Sequence, residues 1–163
     1  VEAYTLNLDN LFETFENSMK KFDSDHGMAN SRARLRMTTL YQVAAANKGI
    51  VVGTGNKVED FGVGFYTKYG DGGVDISPIA DCNKSEVWEM GKELNILKEI
   101  IDAAPTDGLW DDGRTDEGQL GLQYSELEEA MNNINSSNRE KYEKIRKLNL
   151  HKMEPIPVCK IPN

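Results

Sequence analysis

This 163-residue chain has little cysteine, no long apolar run and no excess of positive charge. Its two cysteines, Cys82 and Cys159, belong to no CxxC or Cys/His cluster, so neither a zinc site nor a disulfide framework is predicted. A reducing cytoplasm therefore fits best. No window approaches the roughly 18 consecutive apolar residues of a membrane span, and no charged-then-apolar leader opens the chain. We therefore expect no membrane partner.

The acidic balance excludes one further class of partner. A net charge of −8 lacks the basic footprint of a nucleic-acid-binding protein. An anionic ligand would have to be small, and it would need local lysines and arginines, with a divalent cation, to offset the acidic surface. With 39% hydrophobic and 28% charged residues, the composition is that of one globular domain.

Hydrophobic periodicity and capping patterns predict the helices. Apolar residues at steps of three and four predict one helix from Leu8 to Phe22 and a second from about Ala29 to Lys48. A capping box begins at Asn83 and predicts a third helix that runs to about Leu94. The Gly- and aromatic-rich stretch Gly62–Asp75 is expected to be an ordered loop.

Two similar boxes predict helices later in the chain. Ser125 with Glu128 opens one, and Ser137 with Glu140 opens the other. The apolar positions of the last helix are expected to be Tyr142, Ile145 and Leu148.

The chain has few strands for so many helices. Ile50–Val52 is wholly apolar, as strands buried on both faces of a parallel sheet are, and Val1–Leu6 is a second candidate. We therefore predict an α/β fold, a partial doubly wound parallel sheet with flanking helices, whose amino-terminal part is missing. The chain begins at Val1 without an initiator methionine and looks cut from something longer, so we expect incomplete packing or a partner segment.

Two residues after the predicted strand could serve a nucleotide site. Thr54 lies between Gly53 and Gly55 at the carboxyl end of the strand, where open α/β sheets bind ligands. Taken alone, the glycines are more simply explained by a tight turn. Glu59 is a hard oxygen ligand suited to Mg²⁺, although a lone glutamate is more often a solvated surface residue.

Lys84 is the first residue after the predicted cap Asn83. The helix dipole disfavours a cation there, and a bound phosphate would satisfy both the lysine and the free amides. The alternative is an exposed lysine that tolerates a small penalty.

Other cations are ambiguous by themselves. Arg34 is expected near the buried side of the second helix, where a structural salt bridge and a ligand contact are equally open. Arg32 and Arg36 are expected to face water. His151 and Lys152 are predicted just beyond the last helical segment, where the helix dipole alone accounts for them.

Taken together, seven segments resemble the ammonia-dependent NAD synthetases, of the N-type ATP pyrophosphatase family, across nearly the whole chain. Each motif is modest, but seven in matching order and spacing are specific. They are Asn30–Met37, Gly53–Glu59, Thr67–Asp75, Pro78–Lys84, Pro105–Thr106, Thr115–Tyr124 and His151–Lys152.

The resemblance implies a reaction and a set of roles. In this family ATP adenylates the nicotinate carboxylate of deamido-NAD, pyrophosphate leaves, and ammonia displaces AMP. The ATP contacts implied are Thr54, Lys84 and Thr106, with Lys84 as the catalytic residue beside the phosphates. Glu59 would bind Mg²⁺. The deamido-NAD contacts implied are Arg34, Lys68, Asp75, His151 and Lys152, at a homodimer interface.

The sequence departs from the family in one respect. The Ser-Gly-Gly-x-Asp-Ser phosphate loop, which also carries a second acidic metal ligand, is absent from these residues. Residues 1–163 are therefore expected to be the carboxy-terminal part of a single NAD synthetase domain, weak or inactive alone. Alternatives are a non-catalytic dinucleotide-binding or dimerisation fragment, and another ATP pyrophosphatase such as GMP synthetase.

Overall fold

Helices dominate the computed structural model, which describes residues 2–161. A 3₁₀ turn, Lys20–Phe22, follows the first α-helix, and a π-helix, Lys57–Val63, precedes the third. The α-helices are α1 (Asp9–Met19), α2 (Asp25–Ala46), α3 (Lys84–Glu93), α4 (Lys98–Ile101), α5 (Asp116–Leu120), α6 (Tyr124–Asn132) and α7 (Arg139–Met153).

The first three predicted helices are confirmed within a few residues at their ends. α2 begins earlier than predicted, because the Ser24 hydroxyl accepts a hydrogen bond from the Gly27 amide at 3.3 Å and caps it at Asp25. α3 begins at Lys84, and the Glu86 carboxylate accepts from the Asn83 amide at 2.7 Å. The short helices α4 and α5 were not predicted.

The caps predicted for the last two helices are wrong in register. α6 begins at Tyr124, because the Glu126 carboxylate accepts from the Gln123 amide at 2.8 Å. The Glu128 carboxylate instead accepts bonds from the amide and hydroxyl of Ser85, at 2.9 and 2.7 Å. A glutamate that has a distant partner is not free to form a local capping box.

The buried face of α7 also differs from the prediction. This helix begins at Arg139, so Ser137 and Glu140 do not form its cap. Tyr142 is 3% exposed and Ile145 packs against the core, whereas Leu148 is 71% exposed. The prediction for Leu148 is wrong because the helix face that meets the core continues through Asn149, whose amide donates to the Val63 carbonyl at 3.0 Å.

The π-helix contributes Val58 and Val63 to the core. It begins after Asn56, whose side-chain oxygen accepts from the amides of Val58 and Glu59 at 3.0 and 3.1 Å. It ends at Gly64, which has a φ of 65° and approaches α7 so closely that a Cβ would lie 2.6 Å from Asn149 Cβ. π-helices often occur at functional sites.

One hydrophobic cluster joins the π-helix to α6 and α7. Its members are almost inaccessible to water: Val58, Val63, Leu120, Leu122, Tyr124, Leu127, Ala130 and Tyr142. Trp88 of α3 packs against this cluster, so the start of α3 is attached to the same core.

The predicted sheet is not present in residues 2–161. Its only trace within these residues is one parallel bridge between Val52 and Ile76. Residues 2–6 of the candidate strand Val1–Leu6 form no strand, and Val1 lies outside the described residues. Val51 is 6% exposed, but Ile50 and Val52 are 59% and 52% exposed. The prediction of burial on both faces is therefore wrong, since no second strand flanks this segment in the described part of the chain.

The expectation of incomplete packing is confirmed. Leu40, Ile50 and Val52 are all more than half exposed. Further apolar side chains are exposed along and around α4, including Leu94, Leu97 and Ile100. Across residues 2–161, none of the helices combines the length and the apolar character needed to cross a membrane.

Replacing Leu127 should test whether the cluster stabilises the chain. Leu127→Ala removes a side chain that is 0% exposed and leaves a cavity, so the free energy of unfolding should fall by about 2–5 kcal/mol. Leu148→Ala is the matched control, because this leucine is mostly exposed and its loss should change stability by about 0.5 kcal/mol or less. Urea denaturation measures both. Equal losses would contradict the assignment of the core.

Candidate active site

An open cavity of about 450 Å³ lies where the chain leaves Val52. α2, the π-helix, the start of α3 and the loop before α5 all contribute to its walls. Thr54, Glu59, Lys84 and Thr106 all line it. The structure thus brings together the residues predicted for ATP and for the metal, which lie far apart in the sequence.

Lys84 and Glu59 form an ion pair in this cavity. The Lys84 ammonium donates to Glu59 Oε1 at 2.9 Å, and the two side chains are only 18% and 16% exposed. Removing either partner would leave a largely buried charge without compensation, which is costly. In this structure a carboxylate, rather than a phosphate, offsets the dipole penalty at the start of α3.

Tyr124 contacts both members of this ion pair. Its hydroxyl donates to the same Glu59 oxygen, and the Lys84 ammonium lies 4.9 Å from the centre of its ring. The ring meets Trp88 edge-on, with centroids 5.9 Å apart. Burial and the Glu59 charge raise the pKa of Tyr124, so its hydroxyl stays protonated and remains a donor.

Asp116, at the start of α5, is the second carboxylate near this tyrosine. Its Oδ2 lies 3.3 Å from the Tyr124 hydroxyl, and the residue is 7% exposed. Its other oxygen, Oδ1, is buried without a hydrogen-bond partner among the described residues. Burial, followed by the charge of Glu59, raises the pKa of Asp116.

Two arginines of α2 hold the loop that carries Thr106. Arg32 donates to the Leu109 carbonyl at 2.7 Å, and Arg36 donates to the Gly108 carbonyl at 3.0 Å. The prediction that Arg32 faces water is therefore wrong, because it is half-buried against a loop carbonyl that the helix periodicity could not reveal. Arg36 is exposed, as predicted, although it also donates to the loop. Thr106 Oγ1 accepts from the Gly108 amide at 3.3 Å, within the same turn.

Asp60 forms the next part of the cavity wall. Its carboxylate lies against Gly55, where a Cβ would come within 2.0 Å of Asp60 Oδ2, so a side chain at position 55 would displace it. Burial, with the neighbouring charges of Glu59 and Asp71, raises the pKa of Asp60 to about 6. Gly55 thus permits a close approach as well as a turn.

A smaller cavity of about 200 Å³ adjoins the first and shares Gly55, Asp60 and Asp71 with it. Lys152 lines this second cavity and donates to the carbonyls of Gly64 and Tyr66 at 2.9 and 2.8 Å. Burial lowers the pKa of Lys152, and the charge of Asp71 opposes that shift.

The remaining predicted cations form a chain of contacts. Arg34 donates to the Lys68 carbonyl at 3.2 Å, and the Lys68 ammonium donates to the His151 carbonyl. Arg34 is exposed, so its predicted position near the buried side is wrong. His151 and Lys152 lie in the last turn of α7 rather than beyond it, because the helix continues to Met153.

Asp75 lies apart from these cations. Its Oδ2 accepts from the Val51 amide at 2.7 Å, and its Oδ1 accepts from the Tyr41 hydroxyl at 3.2 Å. In the described residues this carboxylate therefore ties the segment before Ile76 to α2 and to the bridge.

Residues 1–161 match the profile of the NAD synthase family. The chain belongs to the NAD synthase family. Its relatives include the NH(3)-dependent NAD(+) synthetase of Methanococcoides burtonii, 42% identical over 136 residues, and that of Alkaliphilus oremlandii, 46% identical over 130 residues. These alignments cover 82% and 79% of the chain, and 51% and 48% of the two relatives. The chain thus spans about half the length of the curated relatives it matches.

Solved structures of this NAD synthase family agree in fold. NMN synthetase from Francisella tularensis superposes with a TM-score of 0.91 at 34% identity, covering 99% of this chain and 68% of that one. An NH3-dependent NAD synthetase from Campylobacter jejuni has a TM-score of 0.71 at 21% identity, covering 95% and 64%. These neighbours confirm the adenine-nucleotide alpha-hydrolase-like fold, although the predicted sheet is not visible in residues 2–161.

The sequence alone indicates no individual role for two residues beside this cavity, Tyr124 and Asp116. Both lie inside a segment that carries the family resemblance, but their partner Glu59 is distant in the chain. The resemblance of this segment to the family was the available signal, and it did not reveal which side chains meet. Across residues 2–161, no group of three or more His, Cys, Asp or Glu side chains is arranged to hold a metal ion.

The raised pKa of Asp60 predicts how stability of the NAD synthase chain depends on pH. The folded-state pKa of about 6 exceeds the ordinary 3.8, so the folded chain holds this proton more tightly than the unfolded chain. The protonated Asp60 carboxyl group therefore contributes to the free energy of unfolding below about pH 4, and this contribution is lost as the pH rises through about 6. Asp60→Asn should therefore be more stable than the wild type by about 1–2 kcal/mol at pH 7, and nearly equal to it at pH 4.

Urea denaturation between pH 4 and 7, in metal chelator, measures this difference. Asp23→Asn, at an exposed position between α1 and α2, is the matched control and should follow the wild-type profile. An Asp60→Asn advantage that is the same at pH 4 and pH 7 would contradict the assignment.

Proposed function

We propose that this chain forms the part of an ammonia-dependent NAD synthetase that binds ATP and the acceptor. ATP adenylates the nicotinate carboxylate of deamido-NAD, and ammonia then displaces AMP to give NAD. The observation that carries the proposal is the largely buried Lys84–Glu59 pair in a cavity that Thr54 and Thr106 also line. The names of the curated relatives support the same reaction.

Lys84 is the residue proposed to act in the first step. A carboxylate oxygen of the acceptor attacks the α-phosphorus of ATP, and the bond from that phosphorus to the pyrophosphate oxygen breaks. Negative charge then accumulates on the departing pyrophosphate, so a cation that strengthens its contact there lowers the barrier. Lys84 at the start of α3 is suited to this role, because its side chain lines the cavity together with Thr54 and Thr106. Thr54 and Thr106 are proposed to contact ATP from the loops of the cavity wall.

Glu59 fits the role of a magnesium ligand. Both of its hydrogen bonds, from Lys84 and Tyr124, fall on Oε1, which leaves Oε2 for a cation among the described residues. Mg²⁺ commonly uses one or two protein carboxylates together with substrate phosphates and water. When bound there, the ion would neutralise phosphate charge.

The second cavity is the proposed acceptor site. Lys152 lines it, and Arg34 and Lys68 connect through main-chain carbonyls to His151 beside it. Among the described residues none of these three cations forms an ion pair, although Asp60 and Asp71 line the same cavity. In a chain of net charge −8, cations without an ion-pair partner favour an anionic ligand such as a dinucleotide. His151 and Asp75 complete the predicted set. In the second step ammonia attacks the acyl carbon, the bond to the AMP oxygen breaks, and the nitrogen loses a proton.

A second acceptor is favoured by one specific observation. The higher TM-score and identity belong to the NMN synthetase of Francisella tularensis, rather than to the Campylobacter NAD synthetase. The same chemistry would then amidate nicotinate mononucleotide to NMN. Comparison of kcat/KM for this compound and for deamido-NAD distinguishes the two activities. A higher value for the mononucleotide would replace the proposed acceptor.

Other parts of the prediction stay open to experiment. A homodimer and a cytoplasmic location remain proposals. A non-catalytic dinucleotide-binding fragment would bind deamido-NAD without releasing pyrophosphate, and a GMP synthetase would amidate xanthosine monophosphate instead. Pyrophosphate release measured with each acceptor therefore separates all of these functions.

Lys84→Ala should slow adenylation strongly. Loss of a cation that contacts the departing pyrophosphate should lower the rate of pyrophosphate release by about 10²–10³-fold. The rate is measured in the natural protein with ATP, Mg²⁺, ammonium and deamido-NAD.

Lys92→Ala is the matched control for this variant, because Lys92 is an exposed lysine in the last turn of the same helix and does not line the cavity. Its rate should be close to that of the wild type. Thermal melting of both variants separates a lost function from a lost fold. A folded Lys84→Ala protein with near-normal pyrophosphate release would refute the role of Lys84.

A further inference from the structure

Asp116 carries a buried oxygen whose purpose the fold does not explain. This carboxylate is 7% exposed, yet its Oδ1 has no hydrogen-bond partner in residues 2–161. A buried polar atom without a partner costs about 1–3 kcal/mol, and more when the group is charged. Asp116 also lines the 450 Å³ cavity, on the same wall as Glu59.

The hydroxyl of Tyr124 connects the two carboxylates. It donates to Glu59 Oε1, and Asp116 Oδ2 lies 3.3 Å away from it. A phenol has one proton to donate, so it cannot satisfy both acceptors at once. Glu59 also has Lys84 as a donor, whereas Asp116 has no further donor in the described part of the chain. Asp116 is therefore the carboxylate that keeps a buried oxygen without a donor.

We propose that Asp116 and Glu59 together form a carboxylate pair that binds a divalent cation, with Tyr124 setting their separation. Each carboxylate keeps one oxygen against the tyrosine, and the other oxygen, Asp116 Oδ1 or Glu59 Oε2, is the one that binds the ion. Two protein carboxylates are sufficient for Mg²⁺ when water and phosphate complete the shell. The proposal rests on the cation role given to Glu59 above, and it adds a ligand outside the motifs assigned to metal.

The location of Asp116 gives this ligand a link to the ATP loop. Its amide donates to the Pro105 carbonyl at 3.0 Å, which closes the loop that carries Thr106. An ion bound to Asp116 would thus contact the base of that loop as well as the π-helix. Cation binding and the ordering of the loop are expected to be coupled for this reason.

Mn²⁺ binding to the full chain tests the proposal directly. Electron paramagnetic resonance measures free Mn²⁺ during titration of the wild type, Asp116→Asn and Glu59→Gln, with no nucleotide present. Loss of either carboxylate should weaken Mn²⁺ binding by about tenfold or more. Asp111→Asn, in the same region but with a side chain 97% exposed, should bind as the wild type does.

Thermal melting in metal chelator distinguishes a ligand from a structural residue. Asparagine has the shape of aspartate without its charge, so Asp116→Asn should melt at or above the wild-type temperature while it binds Mn²⁺ less well. A variant that is unfolded, or that melts clearly below the wild type, would show that the carboxylate stabilises the fold and would overturn the proposal.

The binding outcomes also separate this proposal from the proposed function. Loss of Mn²⁺ binding in Glu59→Gln but not in Asp116→Asn would overturn the role of Asp116 and leave the Glu59 assignment intact. A wild-type chain that binds no Mn²⁺ at about 1 mM would overturn the carboxylate pair. In that event the amidation assay would still decide the proposed reaction independently.

Discussion

The carboxylate of Glu59 is the point at which three segments of this protein meet. It lies in the π-helix, accepts a hydrogen bond from Lys84 at the start of α3, and accepts another from Tyr124 at the start of α6. Val58, its neighbour in the π-helix, is 0% exposed and belongs to the main cluster. The ion pair is therefore attached to the buried core, and neither partner can leave without exposing an uncompensated charge.

The rest of the candidate site follows from this attachment. α3 begins where Lys84 meets Glu59, and α5 begins where Asp116 approaches the same tyrosine. The loop between these helices is held from the other side by Arg32 and Arg36 of α2. These polar contacts fix the walls of the cavity. The cavity itself lies open beside the segment that follows Val52. Buried networks of this kind specify one arrangement of side chains more than they add stability.

The proposed acceptor site is held together by a different kind of contact. Lys68 and Lys152 donate to main-chain carbonyls, which hold the side chains in place without neutralising them. Asp71, the nearby acid, accepts a bond from the Thr67 amide at 2.9 Å. Among the described residues these lysines thus stay without an ion-pair partner, although acids line the same cavity and the overall charge is negative.

The sequence by itself determined the local elements and the family. α2 and α3 could be predicted because periodicity and Asn83 act within a few residues, and the ordered motifs sufficed to recognise the NAD synthases. Only the tertiary structure decided which side chains meet. Glu128 is bound to Ser85 rather than to a local cap, Leu148 faces solvent, and Tyr124 lies between Glu59 and Asp116. These outcomes depend on partners more than 40 residues away or on which helix face meets the core, and neither is encoded in a local pattern.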